Sequence, residues 1–447
     1  MGNKETFDIA IIGGGAAGVL LALRLLRAGR SGQRIALIEP GQPGRGVAYG
    51  TDDPAHVLNV PAGNMSADAD NPDDFIEFLR ARDGQADPTS YRPRRDYADY
   101  LHARLAQAVA ASAVQFRHIS QQATRLQRDG QSCSIELGDG EKITTQKTVL
   151  ATGNHPRMFA ADTNHARIIS AWDADALTRI GLDDEIVILG SGLSMVDVVL
   201  SLDARGHRGT VSVVSRHGLL PLAHPAHKQK LDFDSHALQA MPLGQRLSVL
   251  RKTAATAAAD GIGWQALMDA LRHHVRELWQ SLDGRDQQRF LRHAVRLWDV
   301  HRHRIAPAVA AQLQARIDAG RLQVRAARVL ETHSTDSAIT LRLQPRHQDQ
   351  SCTLQADWLV NATGIETRTS GFDDPLLCRL MADGLARPGP HDLGFDCTAD
   401  ATVLDGNGKP QPWLAAIGSL RLGNLWESTA IPDLRLDAAA LARRLLN

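Results

Sequence analysis

The sequence predicts an α/β protein of two domains, each built around a mostly parallel sheet, with the second domain inserted in the first. Two glycine-rich turns, each placed between an apolar strand and an apolar helix, indicate the two domains. A further strand and helix close the chain, which indicates that the first domain is completed there. We therefore expect residues 1–165 and 351–447 to form the first domain and residues 166–350 to form the second.

The first glycine-rich turn predicts a Rossmann-like dinucleotide-binding domain. Residues 8–12 are an apolar strand, residues 13–18 are glycine and alanine only, and residues 19–28 have the apolar spacing of a helix. Residues 34–39 form a second strand that ends in an acid, Glu39. A strand, a glycine turn, a helix and a strand ending in a carboxylate form the βαβ unit that binds dinucleotides. A glycine-rich turn in an ordinary α/β domain is the alternative.

Each residue type in this unit suits a bound FAD or NAD. Gly13 permits the tight turn, Gly15 lets the pyrophosphate approach the backbone, and the N-terminus of the helix faces the phosphates. Glu39 lies about 20 residues beyond Gly18, where a carboxylate can accept hydrogen bonds from the ribose hydroxyls. The residues expected to contact this cofactor are Gly13, Gly15, Ala16, Ala17, Gly18, Glu39 and Pro40.

Two loops after this unit, residues 40–50 and 56–66, are rich in glycine, proline and small polar residues. Such loops can bring backbone N–H groups to the far end of the same dinucleotide, and mobile surface loops are the alternative. Beyond them the sequence predicts helices over residues 75–82 and 94–111 and an antiparallel β-meander over residues 123–149.

Two strands end in the same Ala-Thr-Gly sequence, which predicts two related positions at the edges of the sheets. The residues expected at these strand ends, together with the end of the closing strand, are Thr152, Gly153, Thr363, Gly364 and Gly418. The remaining predicted strands are residues 322–328, 339–343, 352–354 and 413–418, and the closing helix is predicted over residues 436–446.

The second glycine-rich turn, which has its own helix and strand, predicts NADPH. Gly190 and Gly192 repeat the first turn, but Met195 at the third position needs more room and weakens the motif. Arg216 ends the strand that follows the second turn, as Glu39 ends the strand that follows the first turn. An arginine at this position can pair with a 2′-phosphate. A solvated charge at the strand end is the alternative for Arg216. The residues expected to contact NADPH are Gly190, Gly192, Leu193, Ser194 and Arg216.

Residues 237–320 are predicted as a helical insertion that is rich in arginine and histidine. The pairs His301 with His303 and His224 with His227 could suggest a metal. No neighbouring cysteine or carboxylate cluster completes a site, so the sequence predicts no metal. We expect these polar groups at a domain interface or over a substrate pocket.

The composition argues against several classes of function. The 447 residues carry 50 Lys and Arg and 50 Asp and Glu, which gives no support to nucleic acid or an anionic membrane as the main partner. The four cysteines never form C-x-x-C, so the dithiol of a disulfide reductase is absent. The early first strand leaves no room for a signal peptide, no apolar run spans a bilayer, and residues 1–6 match the myristoylation pattern by chance. We expect a cytoplasmic enzyme.

Several motifs together resemble the flavoproteins that have two dinucleotide-binding domains, and the resemblance covers nearly the whole chain. Residues 44–50, 56–66, 190–197 and 426–432 are similar to a bacterial FAD/NAD(P)-binding protein group that is related to the N-hydroxylating flavin monooxygenases. Those enzymes carry an Asp-x3-Leu/Phe-Ala-Thr-Gly pattern. This chain matches the pattern except that Asn361 replaces the apolar residue.

The resemblance implies FAD in the first site and NADPH in the second, and it adds residues near the flavin. These residues are Gly46, Val47, Ala48, Tyr49, Asn59 and Val60. Many such flavoproteins have an Asp that meets the ribityl chain where this chain has Ser419, so we expect that contact to be made differently or through water. The F-x-G-x3-H pattern of the Baeyer–Villiger enzymes is absent.

The leading hypothesis is an FAD enzyme that is reduced by NADPH and uses O2 to hydroxylate a small amine or amino-acid-like substrate through a C4a-hydroperoxyflavin. His56, Asn59 and Trp426 are candidates for the substrate pocket, and no residue is identified as a catalytic base. One open alternative is an NAD(P)H dehydrogenase or oxidase that passes electrons to a small acceptor. Another is a non-catalytic flavin or nucleotide sensor whose helical insertion binds a protein. The substrate and the oligomeric state are left open.

Overall fold

The structure, a computed structural model, describes residues 5–130, 132–158 and 165–447. Its strands are β1 (Thr6–Ile12), β2 (Arg34–Ile38), β3 (Gln115–Ile119), β4 (Ala123–Asp129), β5 (Ser132–Leu137), β6 (Lys142–Leu150), β7 (His155–Pro156), β8 (Ile168–Ser170), β9 (Ile186–Leu189), β10 (Val211–Ser215), β11 (Leu322–Ser334), β12 (Ile339–Pro345), β13 (Cys352–Ala356), β14 (Trp358–Asn361), β15 (Ile365–Glu366), β16 (Thr402–Leu404) and β17 (Pro410–Ala416).

Its α-helices are α1 (Ala16–Ala28), α2 (Gly46–Tyr49), α3 (Asp74–Asp83), α4 (Arg94–Ala111), α5 (Ala174–Thr178), α6 (Leu193–Ala204), α7 (Leu243–Ala259), α8 (Trp264–Leu271), α9 (Val275–Gln280), α10 (Gly284–His293), α11 (Val295–Arg302), α12 (Pro307–Asp318), α13 (Pro375–Ala382), α14 (Leu422–Leu425) and α15 (Ile431–Leu446). Among the described residues, no helix is both long enough and apolar enough to cross a bilayer.

The described chain divides into two compact units. Unit 1 contains the described residues within 1–54, 61–155 and 366–447, and unit 2 contains those within 55–60 and 156–365. Unit 2 is therefore inserted in unit 1, and each unit has its own parallel sheet, which confirms the predicted α/β fold class. The structure adds one feature to this arrangement, because the short segment 55–60 belongs to unit 2 although the chain on both sides of it belongs to unit 1.

The sheet of unit 1 places β1 at its centre, in the strand order β16-β17-β6-β1-β2-β3. Strands β17, β6, β1, β2 and β3 run parallel to one another, and β16 pairs antiparallel with β17. Strands β4 and β5 extend β6 as the predicted antiparallel meander. The chain order reverses between β1 and β6. The carboxyl ends of two neighbouring strands at such a reversal form the crevice where open α/β sheets bind ligands.

The sheet of unit 2 repeats this arrangement around β9, in the order β13-β12-β11-β10-β9-β14-β8. Strands β11, β10, β9, β14 and β8 are parallel, and the chain order reverses between β9 and β14. Helices α7 to α12 lie between β10 and β11 in the chain and form the predicted helical insertion. The insertion has a small apolar core of its own around Leu238, Leu267 and Leu271.

Strand β3, strand β11 and helix α15 are among the elements that differ from the sequence prediction. Strand β3 was not predicted, because among its five residues only Phe116 and Ile119 are apolar and the strand lies at a sheet edge. Strand β11 continues past Arg328 to Ser334, where it pairs with β12. Helix α15 begins at Ile431, before the predicted start, because the proline that follows is favourable in the first turn of a helix.

Candidate functional site

The first glycine turn brings β1, α1 and the residue after β6 together in unit 1. Gly13 has a φ of 103°, its N–H donates to Ile38 O at 2.9 Å, and a Cβ at this position would lie 2.3 Å from Ala151 O. A Cβ on Gly18 would lie 1.9 Å from Gly13 O. Both positions therefore require glycine, and Gly15, in extended conformation, begins α1.

The carboxylate of Glu39 is held against the same turn by backbone N–H groups. Its Oε2 accepts a hydrogen bond from Gly14 N at 2.7 Å, and its Oε1 accepts one from Gly41 N at 3.1 Å. Gly44 N in the following loop donates to Gly14 O at 2.8 Å, so this loop is attached to the turn. Pro40 lies beside Glu39 and is exposed. The oriented carboxylate can still accept hydrogen bonds from a ligand, because each of its oxygens has two lone pairs.

The ends of β6 and β17 lie close to this turn. A Cβ on Gly418 would lie 3.5 Å from the Cβ of Ala17 in the first turn of α1. Ser419 Oγ donates to Gly153 O at 2.5 Å, which joins the two strand ends. The hydroxyl that replaces the ribityl-binding carboxylate of many flavoproteins is thus engaged with the backbone.

Two buried polar atoms at the end of β6 test whether unit 1 fits FAD. Thr152 Oγ1 and Asn154 Oδ1 have no hydrogen-bond partner in the described part of the chain. Buried polar atoms nearly always have a partner in a folded protein, so these two atoms mark a place for the polar groups of a ligand. Together with the glycine turn and the oriented carboxylate of Glu39, they fit a dinucleotide such as FAD.

Four residues expected near the flavin form helix α2 in unit 1. A Cβ on Gly15 would lie 3.7 Å from Gly46 Cα, so α2 lies beside the glycine turn. Val47 is 42% exposed although it is apolar, and Ala48 is also exposed. Burial raises the pKa of Tyr49 to about 12. The helix therefore presents an exposed apolar side chain next to the first turn.

The second glycine turn repeats the backbone of the first in unit 2. Gly190 has a φ of 100°, its N–H donates to Val214 O at 2.9 Å, and a Cβ there would lie 2.2 Å from Ala362 O. Gly192 is extended and begins α6, as its counterpart begins α1. Met195 at the third position is fully buried, so the helix and strand accommodate its side chain and the turn keeps its form.

A cavity of about 490 Å³ lies beside the second turn, within unit 2. The predicted NADPH residues that line it are Gly190, Gly192, Leu193, Ser194 and Arg216, and Thr363 and Gly364 line it as well. Other lining residues that sequence reasoning missed are Arg157, His217, Arg296, Asp299 and Arg328. Residues at the carboxyl ends of β9 and β14 line the cavity, as expected where the order of the strands reverses.

Four guanidinium groups and one carboxylate line this cavity, so it is suited to an anionic ligand. Arg296 Nη2 donates to Ser191 O at 3.0 Å and is thus attached to the glycine turn. Burial lowers the pKa of Arg296, and the neighbouring Arg216 acts in the same direction. Burial and the Arg346 guanidinium lower the pKa of His217, which favours a neutral imidazole.

Asn361, the residue that departs from the family pattern, connects two walls of the cavity. Its Nδ2 donates to Arg157 O at 2.8 Å. Its Oδ1 accepts from Thr363 N at 3.1 Å and from Thr363 Oγ1 at 2.7 Å. Arg157 N in turn donates to Gly364 O at 3.0 Å, so the two walls are joined by side-chain and backbone bonds.

The three candidates for the substrate pocket belong to different units. His56 and Asn59 belong to unit 2, whereas Trp426 belongs to unit 1. His56 is buried, with Nε2 at 2.8 Å from Ser201 Oγ on α6, and Asn59 O lies 2.8 Å from His224 Nε2. Trp426 has a φ of 61°, which is unusual for a bulky residue.

Two of the histidines noted in the sequence, His224 and His301, contact backbone carbonyls. His301 Nδ1 lies 2.7 Å from Leu297 O on its own helix. One group in the described part of the chain could offer three metal ligands, since atoms of His236, His274 and Glu277 lie within 4.8 Å of one another. His236 and Glu277 are exposed.

Comparisons with known proteins identify two matching families, which together cover residues 10–319. The family described as FAD-NAD(P)-binding matches residues 10–155, and the family described as L-lysine 6-monooxygenase/L-ornithine 5-monooxygenase matches residues 84–319. No curated protein sequence matches the chain.

Several solved structures share the fold at low sequence identity. The ornithine N-hydroxylase of Kutzneria sp. 744, solved with reduced FAD, NADP+ and L-ornithine, has a TM-score of 0.68 at 15% identity over 98% of this chain and 99% of its own. The ornithine hydroxylase PvdA of Pseudomonas aeruginosa has 0.67 at 16% over 99% of both chains. The L-lysine 6-monooxygenase of Pseudomonas syringae has 0.66 at 18% over 98% of this chain and 99% of its own.

Proposed function

Since the chain belongs to the L-lysine 6-monooxygenase/L-ornithine 5-monooxygenase family, we propose that it uses O2 to hydroxylate the side-chain amine of an amino acid or a similar small amine. It is an FAD-dependent, NADPH-using oxidoreductase, as its relationship to the N-hydroxylating flavin monooxygenases establishes. The observation that carries the proposal is the pair of glycine turns with the same backbone, one in each unit, the second beside a cavity lined by four arginines.

FAD is assigned to unit 1. When bound, FAD supplies the hydride and oxygen chemistry that amino-acid side chains lack. The N–H groups at the start of α1 face its pyrophosphate, and Glu39 accepts hydrogen bonds from its ribose hydroxyls. Thr152 and Asn154 offer it the two buried polar atoms described above. The exposed apolar side chain of Val47 in α2 helps to exclude water.

NADPH is assigned to the cavity of unit 2. The backbone from Gly190 to Ser194 and the start of α6 face its pyrophosphate, as in the first unit. Arg216, at the end of β10, faces its 2′-phosphate. The Asn361 side chain holds the wall formed by Arg157 and Thr363 and so keeps the cavity in shape.

The substrate amine must be uncharged when it reacts, so its pocket needs a base or a wall that removes water. Asn59 in unit 2 and Trp426 in unit 1 are each proposed, separately, as a candidate contact of the substrate. His56 is proposed to position the pocket, since its Nε2 is already hydrogen-bonded to Ser201 on α6. A cytoplasmic location belongs to the proposal, because the reaction needs a continuous supply of NADPH.

The test is reduction of the purified, FAD-loaded protein by NADPH or NADH without oxygen, followed by mixing with oxygenated buffer that contains L-ornithine, L-lysine or neither. We expect fast reduction that prefers NADPH, and a hydroxylamine product that forms only with an amine substrate. Reduction with no hydroxylamine from any amine tested would contradict the monooxygenase and favour a dehydrogenase or oxidase. No reduction by either nucleotide would leave the non-catalytic sensor.

A further inference from the structure

Two arginines that line the cavity of unit 2 have no side-chain partner among the residues that the structure describes. Arg216 follows β10, and Arg328 lies in the neighbouring strand β11. Neither guanidinium group makes a hydrogen bond or an ion pair with any residue that the structure describes. Unpaired guanidinium groups that share one cavity attract an anion and leave their N–H donors available to it.

The pairing of β11 explains why Arg328 lies at this edge of the sheet. β11 runs parallel to β10 up to the pair of Ser215 and Ala326, and beyond that pair it forms an antiparallel ladder with β12. The register of this ladder shifts between Val329 and Glu331, directly after Arg328. Irregularities of this kind occur beside binding sites, where they change the direction of a side chain.

Nearby arginines on β11 and β12 make side-chain hydrogen bonds, in contrast to Arg328. Arg325 Nη2 donates to Gln323 Oε1 at 2.7 Å on β11. Arg342 Nε on β12 donates to Glu331 Oε2 at 3.0 Å. Neither Arg325 nor Arg342 lines the cavity. An arginine that has no such contact and lies at the cavity is therefore available to a ligand.

We propose that Arg328, together with Arg216, binds the 2′-phosphate of NADPH and so determines the preference for NADPH over NADH. This inference rests on the proposed function, which assigns the cavity to NADPH. A phosphate monoester carries up to two negative charges and three acceptor oxygens, so it can accept hydrogen bonds from two guanidinium groups. The pyrophosphate, which both nucleotides share, is bound by the glycine turn. Arg328 contacts the group that NADH lacks.

The test uses adenosine 2′,5′-bisphosphate and adenosine 5′-monophosphate as probes, with calorimetry on the full-length, FAD-loaded protein. Arg328→Met removes the guanidinium group and keeps the aliphatic stem. Arg325→Met is the matched control on the same strand but outside the cavity. We expect R328M to weaken binding of the bisphosphate roughly 10- to 100-fold and to leave the monophosphate unchanged. R325M is expected to leave the binding of both probes unchanged.

Two outcomes would overturn the role of Arg328. In the first, R328M weakens both probes equally, and in the second, it weakens neither. The proposed function fails separately if the wild-type protein binds no bisphosphate and is not reduced by NADPH. Bound FAD and circular dichroism check that R328M is folded. If it is not, Arg328→Lys, which keeps the charge but not the planar pair of donors, should still weaken the bisphosphate alone.

Discussion

At the scale of the residue, Asn361 shows how one buried amide can shape a binding cavity. It is 9% exposed, and its side chain joins the carbonyl of Arg157 to the N–H and hydroxyl of Thr363. Arg157 and Thr363 line the cavity, whereas Asn361 does not. A change at Asn361 should therefore alter the wall of the cavity and leave the proposed contacts of the 2′-phosphate in place.

Asn361→Leu tests this role, because leucine restores the apolar residue of the family pattern. It leaves the carbonyl of Arg157 and the N–H of Thr363 without their side-chain partner. We expect the free energy of unfolding to fall by about 1–3 kcal/mol in urea titrations. KM should rise by a similar factor for NADPH and for NADH. Thr363→Val, which removes only the hydrogen bond of the hydroxyl, should have a smaller effect on the free energy of unfolding and on KM. A KM change confined to NADPH would contradict the interpretation.

At the scale of the element, His207 ties the end of α6 to the start of β9. It is 3% exposed, and its Nε2 lies 3.0 Å from Asp184 O, just before β9. A carbonyl oxygen only accepts, so Nε2 carries the proton of a neutral imidazole. Burial lowers the pKa of His207, and Arg316 on α12 acts in the same direction. Protonation keeps the Nε2–H that donates to Asp184 O but places a positive charge in a buried position near Arg316, so acid should destabilise the folded protein.

The effect of pH on stability tests the role of His207. Its pKa in the folded protein lies below the usual value of about 6.5, so the unfolded chain binds more protons at mildly acidic pH. Its contribution to stability is therefore present above pH 6.5 and is lost as the pH falls below that value. His207→Gln should reduce the difference in unfolding free energy between pH 7.5 and pH 5. The exposed His293→Gln is the control in the same unit. An unchanged difference in H207Q would refute the assignment.

Elements that carry a local motif could be predicted from the sequence. Gly13 and Gly190 could be identified because a turn with positive φ next to a carbonyl leaves glycine as the one residue type that fits. Arg296 and Arg328 reach the same cavity from α11 and β11, far along the chain from the turn. No sequence spacing within either element indicates this role. It depends on the tertiary fold, which brings α11 and β11 to the same cavity.

At the scale of the whole molecule, each glycine turn and its strands lie within a single unit, so the two sites should fail independently. Gly13→Ala should abolish FAD binding, because its Cβ would lie 2.3 Å from a backbone oxygen. Gly190→Ala should still bind FAD but no longer bind adenosine 2′,5′-bisphosphate, because its Cβ would lie 2.2 Å from the backbone oxygen of Ala362. FAD content is measured by absorbance and nucleotide binding by calorimetry.

The matched controls for these variants are Gly84→Ala and Gly206→Ala. Both glycines have a positive φ, but an added Cβ would meet no atom within 4 Å. Each control should cost about 1 kcal/mol of stability and retain both ligands. Loss of FAD from G190A, or of both ligands from G206A, would show that the two sites are not independent.

The fold class could be predicted, because each glycine turn marks one sheet and the closing strand and helix mark the return to the first. The place of residues 55–60 could not. They form no regular strand or helix, and they belong to unit 2, where His56 and Asn59 contact residues far along the chain. Sequence spacing has no means of indicating such a contact.

This short segment has a consequence for how such proteins can be recombined. A fragment of residues 156–365 lacks part of its own unit, since His56 is held on α6 and Asn59 is held by His224. Exchange of the nucleotide-binding half between flavoproteins, in the laboratory or by gene recombination, must therefore move two separate stretches of coding sequence. A chimaera joined only at the borders of residues 156–365 would combine α6 of one parent with residues 55–60 of the other.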